Sequence, residues 1–199
     1  MKSSAKEETG FALLMTLIVV GVVISVGLSM LDLALKQVRL SSNAKDSEIA
    51  FHATNAGVEC AQYWRLVKKI DMERGGGGIP VTCFGASAVN VSPETASIVT
   101  NHNANNNAFL YNYNFTWGAA GDRCTKISTL VASSSVANSD ALEITEANMI
   151  SKFPGYPATG GFTCDPGSQC TVISVRGYNK PCASIGGYGV VEREVLLQY

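Results

Sequence analysis

The sequence predicts an α+β protein, with one long N-terminal helix packed on a small antiparallel β-sheet head. Three observations predict it. Phe11 to Leu31 run for 21 positions without a charge. No proline follows until Pro80, and a helical stripe of apolar or small residues continues to Val67. Past the glycine run Gly75–Gly78, apolar and polar residues alternate at the period of two that marks a half-buried strand.

The uncharged run FALLMTLIVVGVVISVGLSML (11–31) is long enough to cross a bilayer core as a helix, at about 1.5 Å per residue over roughly 30 Å. A secretory signal has an apolar region of only about 7–15 residues, and no Ala-x-Ala-like site follows here. The segment is therefore expected to stay in the mature protein. From Ile49 the stripe is Ile49, Ala53, Ala56, Gly57, Cys60, Trp64 and Val67, in steps of three and four along one helix face. Lys45, Glu48, Gln62, Arg65 and Lys69 lie off it. One helix is expected from about Ala12 to Met72, with residues 32–74 as an amphipathic continuation of the membrane segment. Gly75–Gly78 stops it and reads as a flexible joint.

Residues 75–199 hold six Lys/Arg and eight Asp/Glu, with abundant Gly, Asn, Ser and Thr. Five of the six cysteines lie there, and Cys60 lies on the helix. Sparse charge, turn formers and cysteines suit a disulfide-stapled extracytoplasmic head. The clearest strand is Phe109–Trp117, with Phe109, Tyr111, Tyr113, Phe115 and Trp117 on one face and Asn112, Asn114 and Thr116 on the other. Thr125, Ile127, Thr129 and Val131 mark a second strand across a Gly118–Asp122 turn. A third carries Thr171, Ile173 and Val175, and a fourth Val191, Val195, Leu197 and Tyr199. Asp140 with Glu143 has the spacing of a capping box for a short helix to about Lys152. Residues 79–100, with short apolar pieces around Val81, Val89 and Ile98, receive no assignment.

The junction MKSSAKEETG-FALLM, with Gly10 as the last polar-side residue and Phe11 as the first apolar one, resembles the prepilin leader of type IV pilins and type II secretion pseudopilins. The resemblance covers about residues 1–70. It implies a leader at 1–10, cut between Gly10 and Phe11 by a prepilin peptidase. The apolar helix then packs with other pilin-like subunits, after residing in membrane lipid. Two departures stand out. The fifth residue after the cut is Met15, where major pilins usually carry a glutamate. Asp32 stands where they commonly have a helix-kinking proline. Both point to a minor pilin or pseudopilin. The pieces GVECAQYW (57–64), GDRC (121–124), VRGYNKPC (175–182) and VEREVLLQY (191–199) also look like pilin-like proteins of small-genome bacteria.

Six cysteines allow 15 connectivities. The favoured set is Cys60–Cys83, pinning the first loop to the helix; Cys124–Cys182, tying two strands; and Cys164–Cys170, closing a small loop. Disulfides are favoured over a metal site, because Cys164-x5-Cys170 lacks zinc-knuckle spacing and histidine is scarce.

No nucleophile, phosphate-loop, zinc or calcium motif occurs, so no enzyme activity and no cofactor are expected. His52 reads as a helix-surface residue and His102 as part of the polar loop Asn101–Asn107. The aromatic row Phe109–Trp117 reads as a buried strand face rather than a platform for bases or sugars. A net charge of −1 without a basic stripe in the head disfavours nucleic-acid binding. Basic residues flank both ends of the apolar run (Lys2 and Lys6; Lys36, Arg39 and Lys45), so flanking charge does not set topology. The cysteines and the leader place the head outside. The expected role is a structural subunit of a type IV pilus or type II secretion-like filament. The alternative is a membrane-tethered binding protein, an adhesin or glycan binder, that never polymerises.

Overall fold

The computed structural model describes residues 8–87, 91–95, 106–134, 141–157 and 159–199. Most of the leader, Val89, Ile98, His102 and Asp140 lie outside the described residues. The chain is α+β: a long N-terminal helix, α1 (Glu8–Val67), whose later part packs against a small antiparallel sheet. Two units are distinguished, one ending at Lys45 and one running from Asp46 to Tyr199. The head unit therefore begins inside the helix, not at the glycine run.

In the first unit every residue from Gly10 to Lys45 is exposed. Among the described residues the helix already includes Glu8, ahead of the apolar run, so Gly10 and Phe11 lie within it.

The second unit is built on a five-stranded antiparallel sheet in the order β3 (Pro93–Thr95), β4 (Asn106–Trp117), β5 (Arg123–Ser134), β8 (Gln169–Tyr178), β9 (Glu192–Gln198). A hairpin of β1 (Thr82–Cys83) and β2 (Ala86–Ser87) precedes it, filling part of the unassigned stretch 79–100. Residues 46–67 of α1 and the short α2 (Lys69–Glu73) cover one sheet face with Trp64, Met72, Tyr111, Phe115, Ile127 and Ile173. The Phe109–Trp117 row is thus core: Tyr111, Tyr113 and Phe115 are buried, and Asn112, Asn114 and Thr116 face out.

Helix and sheet touch through residues without bulk. A Cβ on Gly57 would lie 2.4 Å from Thr125 Cγ2 and 2.5 Å from Val175 Cγ1. The buried stripe is Ala50, Ala53, Thr54, Gly57, Cys60, Ala61, Trp64 and Arg65. It departs from the expected stripe: Ile49 and Ala56 are half-buried and Val67 is exposed, while Ala50, Thr54, Ala61 and Arg65 are buried instead. Burial of Arg65 is tolerated because its guanidinium pairs with Glu73 at 2.9 Å and its Nε donates to Thr171 Oγ1 at 3.1 Å.

The far sheet face is half covered by a second layer: the two-stranded pair β6 (Leu142–Ile144) and β7 (Phe162–Cys164), with α3 (Glu146–Lys152). Leu142, Met149, Phe153 and Phe162 pack there on Leu110, Leu130 and Val172. At that end β4 and β5 are therefore buried on both faces, beyond the one-sided alternation expected. The predicted capping box fails. Glu143 lies in β6, and Thr145 caps α3 by accepting from the Asn148 amide at 3.3 Å.

Gly75–Gly78 is a packed turn, not a loose joint. Gly75 has φ 71°, and a Cβ there would meet the Phe109 ring at 2.3 Å, so only glycine fits. The Gly76 amide donates to the Asp71 carbonyl at 2.7 Å. The Tyr111 hydroxyl donates toward the carbonyls of Met72 (3.2 Å) and Gly76 (3.1 Å).

Candidate functional site

The first candidate is the exposed half of α1. It is the one helix among the described residues long and apolar enough to span a membrane. Its few hydroxyls are satisfied inside the helix: Thr16 donates to the Leu13 carbonyl at 2.9 Å, Ser25 to Val22 at 2.8 Å and Ser29 to Ser25 at 2.9 Å. Such back-bonding leaves no polar side-chain group from Phe11 to Leu31 in need of water, which suits a helix bathed in hydrocarbon or in other helices. Met15 continues the apolar surface beside Thr16, Val19 and Val20. Asp32 forms an i,i+4 ion pair with Lys36 at 2.8 Å, the first charges after the apolar run. His52 lies exposed, 3.6 Å from the Glu48 carboxylate.

The head is stapled at three places. Cys60–Cys83 joins α1 to the β1–β2 hairpin across the glycine turn. Cys124–Cys182 joins the start of β5 to a 3₁₀ turn after β8, not to another strand. Cys164–Cys170 closes the turn between β7 and β8. At the hairpin tip Phe84 adopts φ 59° and stacks on Trp117 with ring centroids 4.6 Å apart; Arg123 lies 5.3 Å from the Trp117 ring centroid.

The second candidate is on the outer sheet face, where the β6–α3–β7 layer ends. A cleft of about 290 Å³ opens between the C-terminal end of α3 and the sheet, lined by Asn112, Asn114, Lys126, Ser128, Lys152 and Arg176 among others. At its rim Lys152 donates to Glu94 at 2.7 Å and Asn112 to the same carboxylate at 2.9 Å. The Lys152 hydrogen bond holds the Glu94 carboxyl below its usual range. Near Lys126, burial pushes the Tyr178 hydroxyl up, with Glu192 reinforcing the shift. Sequence reading missed this cleft. Its outward positions were visible as polar members of strands, but not which of them share a row.

Among the described residues no group of three or more His, Cys, Asp or Glu side chains is placed to hold a metal. No protein-family model, no curated protein and no solved structure matches the chain.

Proposed function

We propose that this chain is a minor structural subunit, a minor pilin or pseudopilin, of a type IV pilin-like filament or secretion machine. The observation that carries the reading is the unbroken helix Glu8–Val67, exposed and apolar in its first half and docked on a sheet in its second. A stripe of side chains from Phe11 to Leu40 left in water would be insoluble, so this surface is covered by lipid, by other helices, or by each in turn. The Gly10–Phe11 junction supports processing by a prepilin peptidase, which would free the Phe11 amino group to enter a filament core. Before assembly the helix anchors the chain as a single-pass membrane protein with the head outside; afterwards it sits in a surface filament.

Met15 and Asp32 support the minor role. A glutamate at the fifth position could neutralise the amino terminus of a neighbouring subunit; Met15 cannot. This chain can give its own amino group to a partner's glutamate but offers none in return. One-sided pairing suits a subunit at a filament end or at low copy number.

Co-production with a prepilin peptidase tests the reading. Mass spectrometry should find a mature chain beginning at Phe11, and an intact Met1 terminus under those conditions would refute it. A second reading, a tethered binding protein that never polymerises, is favoured by the outer-face cleft. Cleavage after Gly10 together with recovery in sheared filaments argues against it.

A further inference from the structure

The outer face of the sheet carries a charge arrangement that folding alone does not need. Register places Asn114, Lys126, Arg176 and Glu194 in one row across β4, β5, β8 and β9. Lys126 and Arg176 are therefore directly opposed cations, and like charges directly opposed across an antiparallel pair are destabilising. Both are half-buried, and among the described residues neither forms an ion pair. The Lys126 Nζ lies 6.0 Å from the centroid of the Tyr178 ring.

Carboxylates are near, yet they are engaged elsewhere. Glu194 stands opposite Arg176 in the register but accepts from Ser174 Oγ at 2.6 Å. It is also pressed under the loop after α3, where a Cβ on Gly155 would lie 2.4 Å from its Oε2. Glu94 is taken by Lys152 and Asn112. Two cations thus face an open cleft whose rim carries the Glu94–Lys152 pair, flanked by the amides of Asn112 and Asn114 and the hydroxyls of Ser128 and Ser151.

We propose that this cleft binds an acidic saccharide, with Lys126 and Arg176 taking a sugar carboxylate and the amides and hydroxyls taking ring hydroxyls. A guanidinium can hold a carboxylate in a bidentate fork while the ammonium adds a point charge. The lining favours a sugar over an acidic peptide, because it offers hydrogen-bonding groups spread over a shallow surface and no apolar slot for side chains. The site is independent of the filament reading; it would serve a filament subunit or a tethered monomer alike.

Binding is measured by calorimetry on the full chain in a nonionic detergent, with trigalacturonate as the probe. Neutral galactotriose, triglutamate and inorganic sulfate are the comparisons. Trigalacturonate should bind, galactotriose should not, and triglutamate and sulfate should be at least tenfold weaker. Lys126→Gln and Arg176→Gln should each weaken trigalacturonate binding tenfold or more. Without ligand the same variants should unfold at an equal or higher temperature than the parent, since each removes one of two repelling charges. That combination separates a binding role from a structural one. Absence of trigalacturonate binding, variants that bind as the parent does, or a loss of thermal stability matching the loss of binding would overturn the proposal. Triglutamate or sulfate binding as tightly as trigalacturonate would overturn the saccharide assignment.

Discussion

Thr54 accepts the Gly177 amide proton on its hydroxyl oxygen at 3.1 Å, joining the sheet-packed part of the helix to the outgoing end of β8. The same oxygen lies 2.9 Å from the carbonyls of both Ala50 and Arg193 and donates its proton between them. A Cβ on Gly177 would lie 2.4 Å from the Ala50 carbonyl oxygen and the Thr54 amide nitrogen. Helix backbone and strand backbone meet here with nothing between them.

That approach makes Gly177→Ala expensive. The clash is with backbone atoms, which cannot step aside as a flexible side chain can. A destabilisation of about 1–3 kcal/mol is expected from overpacking. Thr54→Val, which leaves the buried Gly177 amide without its acceptor, should cost about 1–3 kcal/mol. Denaturant unfolding followed by circular dichroism of the full chain in detergent measures both. Gly186→Ala, at a site with open space around it, should change little.

Arg65 and Glu73 form a second test. Their side chains are 7% and 13% exposed, and the carboxylate also accepts from Gln169 at 3.0 Å. Arg65→Met alone leaves a largely buried carboxylate short of its counter-ion and should cost about 3–5 kcal/mol. The double variant with Glu73→Met should recover most of that loss. Additive losses in the double-mutant cycle would show that the pair is not coupled.

The three disulfides should rank by the chain length each closes. Their sequence separations are 58 for Cys124–Cys182, 23 for Cys60–Cys83 and 6 for Cys164–Cys170. Loop-closure entropy assigns them about 4, 3 and 2 kcal/mol in that order. Replacing each pair by alanine and comparing unfolding midpoints checks the order. A larger loss from the Cys164–Cys170 pair than from Cys124–Cys182 would contradict it.

Alkaline pH should unfold the head. Burial pushes Tyr111 up to about 12, and raises Tyr113 and Tyr178 further. A raised folded-state value means that the unfolded chain deprotonates first. The stabilisation is complete below about pH 10, the ordinary tyrosine value, and is lost as pH climbs toward 12 and beyond. Tyrosinate absorbance of these three residues should appear together with the loss of sheet signal. Tyr111→Phe should flatten the decline between pH 10 and 12.

Filament behaviour tests Met15. Cells making this chain as their sole pilin-like subunit should form no long filaments by electron microscopy. Beside a major pilin it should appear at trace level in sheared material. Homopolymers of this chain would contradict the minor-subunit role while leaving the pilin-like reading standing.

The long helix and β4 were legible in the sequence because their periodicity is local. Twenty-one uncharged residues, a three-and-four stripe and a nine-residue alternation each carry their own signal. What lies against each element was not legible. Arg65 reads as a surface cation until α2 folds back and brings Glu73 to it. Gly75–Gly78 reads as a loose joint until Phe109 and Tyr111 arrive to pack on it. Leu110, Leu130 and Val172 read as the outward side of half-buried strands until β6, α3 and β7 cover them. The cleft depends on Lys126 and Arg176, distant in the chain and opposed only through the β5–β8 register. Local pattern determines which way a residue points along its own element; burial and charge pairing depend on residues far away in sequence, and only the packed chain decides which of those come near.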